Sequence, residues 1–184
     1  MSYQKTVAIV INKRQYKETD LIITALSQDL GKISFIAKGA NTSKSSRVSS
    51  LQLGNTISIQ LYQKRDTYWL SEAKTVKNFI KTSKNLNQLR LLFLFLELIN
   101  QLIADRQIIN NVYQISQKAI TSIENNSLKS FVDSQIDLLN LLGFGIPKPI
   151  LAHQQDKSYL ACQKLLIKHF ESIIEKPLST IKFT

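Results

Sequence analysis

NTISIQLY, residues 55–62, is the stretch on which the fold turns. Thr56, Ser58 and Gln60 alternate without a break with Ile57, Ile59 and Leu61, the period-two pattern of a strand with one buried and one wet face. Working outward, QKRDT (63–67) is compact enough for a hairpin loop and leads into TYWLSEA (67–73). Upstream, TVAIVI (6–11), LIITAL (21–26) and KISFIAK (32–38) are short, rich in β-branched or aromatic residues and bounded by turn-formers. QDLGK (28–32) is a second tight loop, with Gly31 free to take a positive φ. Five short strands in about 75 residues predict a small, partly closed barrel of the OB or SH3-like kind.

Beyond Asn78 the period becomes helical. TSKNLNQLRLLFLFLELINQLI (82–103) opens with Thr82 or Ser83 as N-cap and repeats apolar residues at Leu86, Leu89, Phe93, Leu96, Ile99 and Ile103. Val112, Ile115, Ala119 and Ile123 mark a second helix, and Phe131, Ile136, Leu139 and Leu142 a third. Gly143 closes that third helix, and Pro147 and Pro149 forbid its continuation. CQKLLIKHFESII (162–174) predicts a last helix. The expected class is α+β: a barrel domain over residues 1–80 and a helical bundle domain over residues 81–184.

The 184 residues suffice for a buried core without covalent staples. Cys162 is the only cysteine, which excludes an intrachain disulfide and a CxxC zinc or redox centre and fits a reducing cytosol. MSYQKTVAIVINKRQYK at the amino terminus does not read as a signal peptide. LRLLFLFLELINQLI (89–103), interrupted by Arg90, Glu97, Asn100 and Gln101, falls short of a membrane span and reads as a buried helix.

The formal charge is +11, from 24 Lys and Arg against 13 Asp and Glu. Residues 1–80 carry 12 cations and 5 acids, and no acid occurs between Asp29 and Asp66. That window holds Lys32, Lys38, Lys44, Arg47, Lys64 and Arg65. On a small barrel such cations converge on one face, neutralise phosphates and release counterions, while exposed rings stack on unpaired bases. KGANTSKSSRVSSLQ (38–52) supplies serine hydroxyls and the amide of Gly39 to the same end. Lys38, Lys44 and Arg47 are the first expected DNA contacts, then Lys32, Lys64 and Arg65, then Lys13, Arg14 and Lys17 on the first loop. Tyr62 and Tyr68 are the candidate stacking residues. The competing reading makes these cations ordinary solvated residues and puts Phe35 and Trp69 in the core.

The run YKETDLIITALSQDLGKISFIAKGANTSKSSRVSSLQ (16–52) resembles the amino-terminal signature of the bacterial RecO family of recombinational repair proteins. The resemblance rests on Tyr16, Glu18 and Asp20, on Thr24, Gly31 and Lys32, on Lys38, Gly39 and Ala40, and on Arg47, Leu51 and Gln52. LSEA (70–73) resembles the segment that closes the family's barrel, and FVDSQIDLLNLLGFGIP (131–147) its helix with a Leu-Gly-aromatic end. The resemblance implies an OB-fold followed by a helical domain. It also implies binding to single- and double-stranded DNA, annealing of complementary strands, and assistance in loading recombinase onto strands coated with single-strand-binding protein. Implied partners are RecR, the acidic C-terminal tail of single-strand-binding protein (SSB) and, indirectly, RecF and RecA, in the bacterial cytoplasm at the nucleoid.

Many members carry four zinc-ligating cysteines after the Leu-Gly-aromatic step. Here only Cys162 lies there, with His153 and His169 at irregular spacing, so no metal or other cofactor is expected and Cys162 reads as a small buried hydrophobe. The chain is also shorter at its carboxyl end than the family pattern. Glu18 and Asp20 invite an acid–base reading, but no histidine falls in the first 150 residues and no nucleophile or phosphate loop accompanies them. Structural roles are expected instead, Asp20 capping the loop before the second strand and Glu18 pairing with a cation. No enzymatic activity is expected. An RNA-binding OB module and a protein-interaction adaptor remain the alternatives.

Overall fold

The computed structural model describes residues 3–42, 47–79 and 85–180, the side chains of Arg47 and Val48 excepted. Five strands form a closed barrel: β1 (Tyr3–Gln15), β2 (Leu21–Ser27), β3 (Gly31–Ala37), β4 (Thr56–Lys64) and β5 (Thr67–Lys77). Their order around the barrel is β1-β2-β3-β5-β4, with β4 returning to β1. Only the β3–β5 pair is parallel, held by Phe35 opposite Tyr68 and Ile36 opposite Trp69. This is an OB-fold, and with the helices that follow it the class is α+β.

The alternation that singled out β4 is realised in its burial. Ile57, Ile59 and Leu61 are buried with Val10, Ile23, Phe35 and Leu70 inside the barrel, whereas Ser58 is exposed and Gln60 partly so; Thr56, at the start of the strand, is the exception and is buried. The β2–β3 turn is organised by Ser27, whose hydroxyl accepts from the amides of Asp29 and Leu30 at 3.2 and 3.1 Å. Thr6 ties that turn to β1 through Asp29 Oδ2 at 2.8 Å. A short helix, α1 (Arg47–Ser50), interrupts the serine-rich stretch. Ala40 and Leu51 bury their side chains in the barrel on either side of it.

Among the described residues five helices follow: α2 (Leu86–Leu102), α3 (Val112–Glu124), α4 (Leu128–Leu141), α5 (Lys148–Gln155) and α6 (Tyr159–Ile174). The chain forms two compact units, Met1–Ser83 with Ile99–Ile109, and Lys84–Leu98 with Asn110–Thr184. The segment after α2 therefore belongs with the barrel.

In the second unit α3 packs on α4, α5 on α6, and α4 on α6. Phe95 meets Phe131 edge-on, with ring centroids 5.9 Å apart. Gln135 and Gln163 exchange amide hydrogen bonds at 2.6 and 3.2 Å, a buried polar pair that satisfies itself. Gly143, at φ +79°, ends α4 with its amide on Asn140 O and that of Phe144 on Leu139 O, the paired bonds of a Schellman cap. After Pro147 a new helix, α5, starts with Pro149 in its first turn, a position where proline's missing N–H costs nothing.

The expected face of α2 holds toward its end, where Leu96, Ile99 and the following Ile103 are buried, and needs correction in its first half. Leu86 is 72% exposed and Phe93 also faces solvent, while Gln88, Leu92, Phe95 and Leu98 are buried. Residues 91–96 are apolar at every position, so periodicity alone cannot single out a face there. Gln88 decides it, donating from Nε2 to Ile123 O and Glu124 O at 3.0 Å each and so satisfying the end of α3. The expected caps Thr82 and Ser83 lie outside the described residues. Asn85 Oδ1 accepts from the amide of Gln88 at 3.0 Å and caps the first described turn.

Candidate nucleic-acid interface

The parallel β3–β5 ladder is only two residue pairs long, so the first half of β3 has an open edge. The segment after α2 covers it. Asp105 bridges Lys32 in parallel, and the amide of Arg106 donates to Lys32 O at 2.6 Å. A Cβ on Gly31 would collide with the Gln107 carbonyl, so this strap, as well as a φ of +68°, demands glycine there.

Between the strap, the β1–β2 loop and the β4–β5 loop lies a cleft of about 640 Å³ over the outer face of β2 and β3. Thr24 and Ser34, opposite each other in register, share a hydroxyl hydrogen bond at 3.1 Å in its floor. Ile22 and Ile36, the next outward pair, add apolar surface. Arg14 and Tyr16 line the β1–β2 side, and Tyr16 is 47% exposed with the Lys17 ammonium 5.5 Å from its ring centroid. On the other side the Arg106 guanidinium donates to Asp66 O of the β4–β5 loop and lies 5.7 Å from the Tyr68 ring. In OB-folds the β2–β3 face and these two loops are where oligonucleotides lie.

The expected contact residues fall in several places. Lys32 is buried, its ammonium bound to Asn100 O at 2.8 Å and Asp105 at 3.1 Å. Lys13 turns to the barrel mouth and donates to Gln52 Oε1 at 2.9 Å, whereas Arg14 faces the cleft. Lys17 is exposed beside Tyr16 on the β1–β2 loop. Lys38 is exposed, with its ammonium 5.0 Å from the Trp69 ring centroid. Lys64 and Arg65 are exposed at the β4–β5 turn, where Arg65 takes φ 53°. Tyr62 is half-buried and pairs with Tyr3, while Tyr68 packs against the barrel core. Lys44 and the side chain of Arg47 lie outside the described residues.

Two expectations are revised. The amide of Gly39 is not open to phosphate, because it donates to Asp20 Oδ1 at 3.0 Å. Nor is the basic window acid-free in space: the strap carries Asp105 to Lys32, and Asp66 stands at the cleft's edge. Sequence reasoning also missed Arg106, whose contact with Asp66 spans 40 positions. Its only local sign is its place after Asp105.

Among the described residues no three His, Cys, Asp or Glu side chains converge as a metal site. Cys162 is buried, its thiol 3.5 Å from Ile150 O, and burial, reinforced by the charge of Asp133, pushes its pKa up. Such a thiol stays protonated, as a packing residue does. No described helix is long and apolar enough to cross a membrane.

Residues 1–79 match the family model described as "Recombination protein O N terminal". Across more of the chain, similar proteins are named DNA repair protein RecO. That of Caldanaerobacter subterraneus subsp. tengcongensis is 26% identical over 78% of this chain and 60% of its own length. The Mesoplasma florum protein is 32% identical over 68% and 48%, and that of Rhodopirellula baltica 31% over 74% and 52%. The chain thus spans about half to three-fifths of the length of these curated relatives. The chain is similar to RecO proteins well past the barrel, and its residues 1–79 carry that family's amino-terminal domain.

Proposed function

We propose that this chain is a DNA-binding recombination mediator in recombinational DNA repair that anneals complementary single strands and assists recombinase loading on strands coated with single-strand-binding protein. The observation that carries the reading is the cleft over β2 and β3, where two arginines and an exposed tyrosine flank a floor of paired hydroxyls and isoleucines. Phosphates of a single strand meet Arg14, Lys17, Arg65 and Arg106, and a base stacks on Tyr16. Lys32 serves the strap and not the ligand. The barrel, residues 1–80, with the strap that residues 81–184 lend it, is the nucleic-acid module, and the rest of residues 81–184 is the helical one, without enzymatic activity. RecR and the acidic tail of single-strand-binding protein are the direct protein partners, RecF and RecA the indirect ones, at the bacterial nucleoid. The similarity to proteins named for DNA repair supports that part of this reading.

The test is anisotropy of a labelled oligo(dT) strand titrated with protein across a salt series. For three to six phosphate contacts on a single strand the log–log slope is about −2 to −4. Removing Arg14 and Lys17 together, both exposed, brings it about one to two units closer to zero. Binding that ignores salt, or a matched RNA strand that outcompetes DNA, overturns the reading.

A further inference from the structure

A second surface of the barrel is left unused by the cleft. Tyr62 stands opposite Tyr3 on β1 and opposite Trp69 on β5, so three aromatic residues occupy one row across adjacent strands. Their neighbours Leu61 and Leu70 point into the barrel core, which turns the row outward. Tyr3 is 55% exposed, and its ring centroid lies 6.0 Å from that of Tyr62 at 58°, so the rings present both faces and edges. Cations border the row: Lys5 and Lys64 are exposed two residues along β1 and β4, and Lys38 stands over Trp69. The nearby acid Glu72 is engaged by Lys74 at 3.3 Å.

Large apolar rings on a wet strand face gain nothing for the barrel interior. An outward aromatic row edged with ammonium groups matches what an unpaired polynucleotide offers, flat bases and a phosphate backbone. We infer that the row Tyr3–Tyr62–Trp69, with Lys5, Lys38 and Lys64, is a second single-stranded DNA track, distinct from the cleft. The inference rests on the DNA-binding reading and deepens it: annealing needs two strands on one protein, and the cleft and the track supply a place for each. Ile36, in register with Trp69 on one side and Ile22 on the other, links the two surfaces, so the strands are held on neighbouring parts of one barrel.

The experiment mixes the full chain at low salt with two non-complementary oligo(dT)-type strands, one carrying a donor dye and the other an acceptor. Energy transfer then reports two strands on one protein. The wild type gives transfer. Lys5→Glu with Lys64→Glu, both on exposed side chains, abolishes transfer and slows annealing of complementary strands, while affinity for a single strand changes less than about twofold. Tyr3→Ala weakens the second strand about tenfold. Arg14→Ala with Lys17→Ala weakens the other strand and leaves the track occupied. A wild type that binds one strand but never two, or a Lys5/Lys64 variant with undiminished transfer, overturns the track alone. A wild type that binds no strand overturns the DNA-binding reading itself.

Discussion

The carboxylate of Asp20 accepts a hydrogen bond from the amide of Gly39 at 3.0 Å, joining the loop before β2 to the loop after β3. The same pair of loops is tied again by the amide of Asn41 on Thr19 O at 2.9 Å. Two separated parts of the signature, the Y-x-E-x-D of residues 16–20 and the K-G-A of residues 38–40, are thus one structural unit. Ala40, fully buried, anchors it to the barrel.

Asp20→Ala leaves the Gly39 amide without its acceptor, and hydrogen bonds to a charged group contribute about 1.5–3 kcal/mol. Partial exposure puts the expected loss near the lower end, about 1–2 kcal/mol. Gly39→Ala meets no atom within 4 Å, so its cost is the positive φ alone, about 1 kcal/mol. Urea unfolding monitored by circular dichroism measures both. A larger loss for Gly39→Ala than for Asp20→Ala contradicts this ordering.

Gly31→Ala carries a double penalty, because the positive φ is joined by a collision with the Gln107 carbonyl. The strap must move for the variant to fold, which disturbs the Arg106 amide on Lys32 O and the Lys32–Asp105 bridge. The expected loss is about 2–4 kcal/mol, well above that of Gly39→Ala. Amide exchange at Arg106 should accelerate with it, and an unchanged rate would show that the strap does not depend on Gly31.

β4 was legible because alternation records its wet face, whereas β1 and β3, buried on both faces over much of their length, were legible as short β-branched runs between turn-formers. Gly143 was legible for a similar reason: a helix that ends in the left-handed region selects glycine within its own few residues. What escaped was decided by distant chain. Lys32 looks like its neighbours Lys38 and Lys64 in sequence, and only the strap from residues 104–107 makes it a buried partner of Asn100 and Asp105. The face of the first half of α2 escaped because a buried glutamine, invisible to a hydrophobic count, fixes it. The row Tyr3–Tyr62–Trp69 exists only through strand register.

Lys32 and Arg106 should separate structure from binding. Lys32→Ala removes a donor from Asn100 O and a buried aliphatic stem, costing about 1–3 kcal/mol of stability. It leaves the salt slope of single-strand binding unchanged, because Lys32, paired with Asn100 O and Asp105, neutralises no phosphate and so releases no counterion. Arg106→Ala costs about 0.5–1 kcal/mol through its contact with Tyr68, yet weakens single-strand binding several-fold and moves the slope toward zero by about 0.7. The same anisotropy series reads both, and a slope change for Lys32→Ala would return it to the DNA contacts.

Glu97 gives the chain a pH-dependent clasp. Its carboxylate accepts from the amides of Ser179 and Thr180 at 2.8 and 2.9 Å, and from the Thr180 hydroxyl at 2.6 Å. Burial alone would raise its pKa, but the hydrogen bonds from Thr180 and Ser179 outweigh it and hold the group below its ordinary value. A carboxyl with a lowered folded pKa contributes stability that is complete above its unfolded value of about 4.3 and is lost as pH falls through the folded one. Protection of the Ser179 and Thr180 amides, corrected for intrinsic exchange, should therefore hold from neutral pH down to about 5 and then fall. Glu97→Gln keeps one acceptor oxygen without the charge, so protection is lower at neutral pH and nearly flat across the acid range. If the glutamine variant keeps the wild-type acid profile, another group governs the clasp.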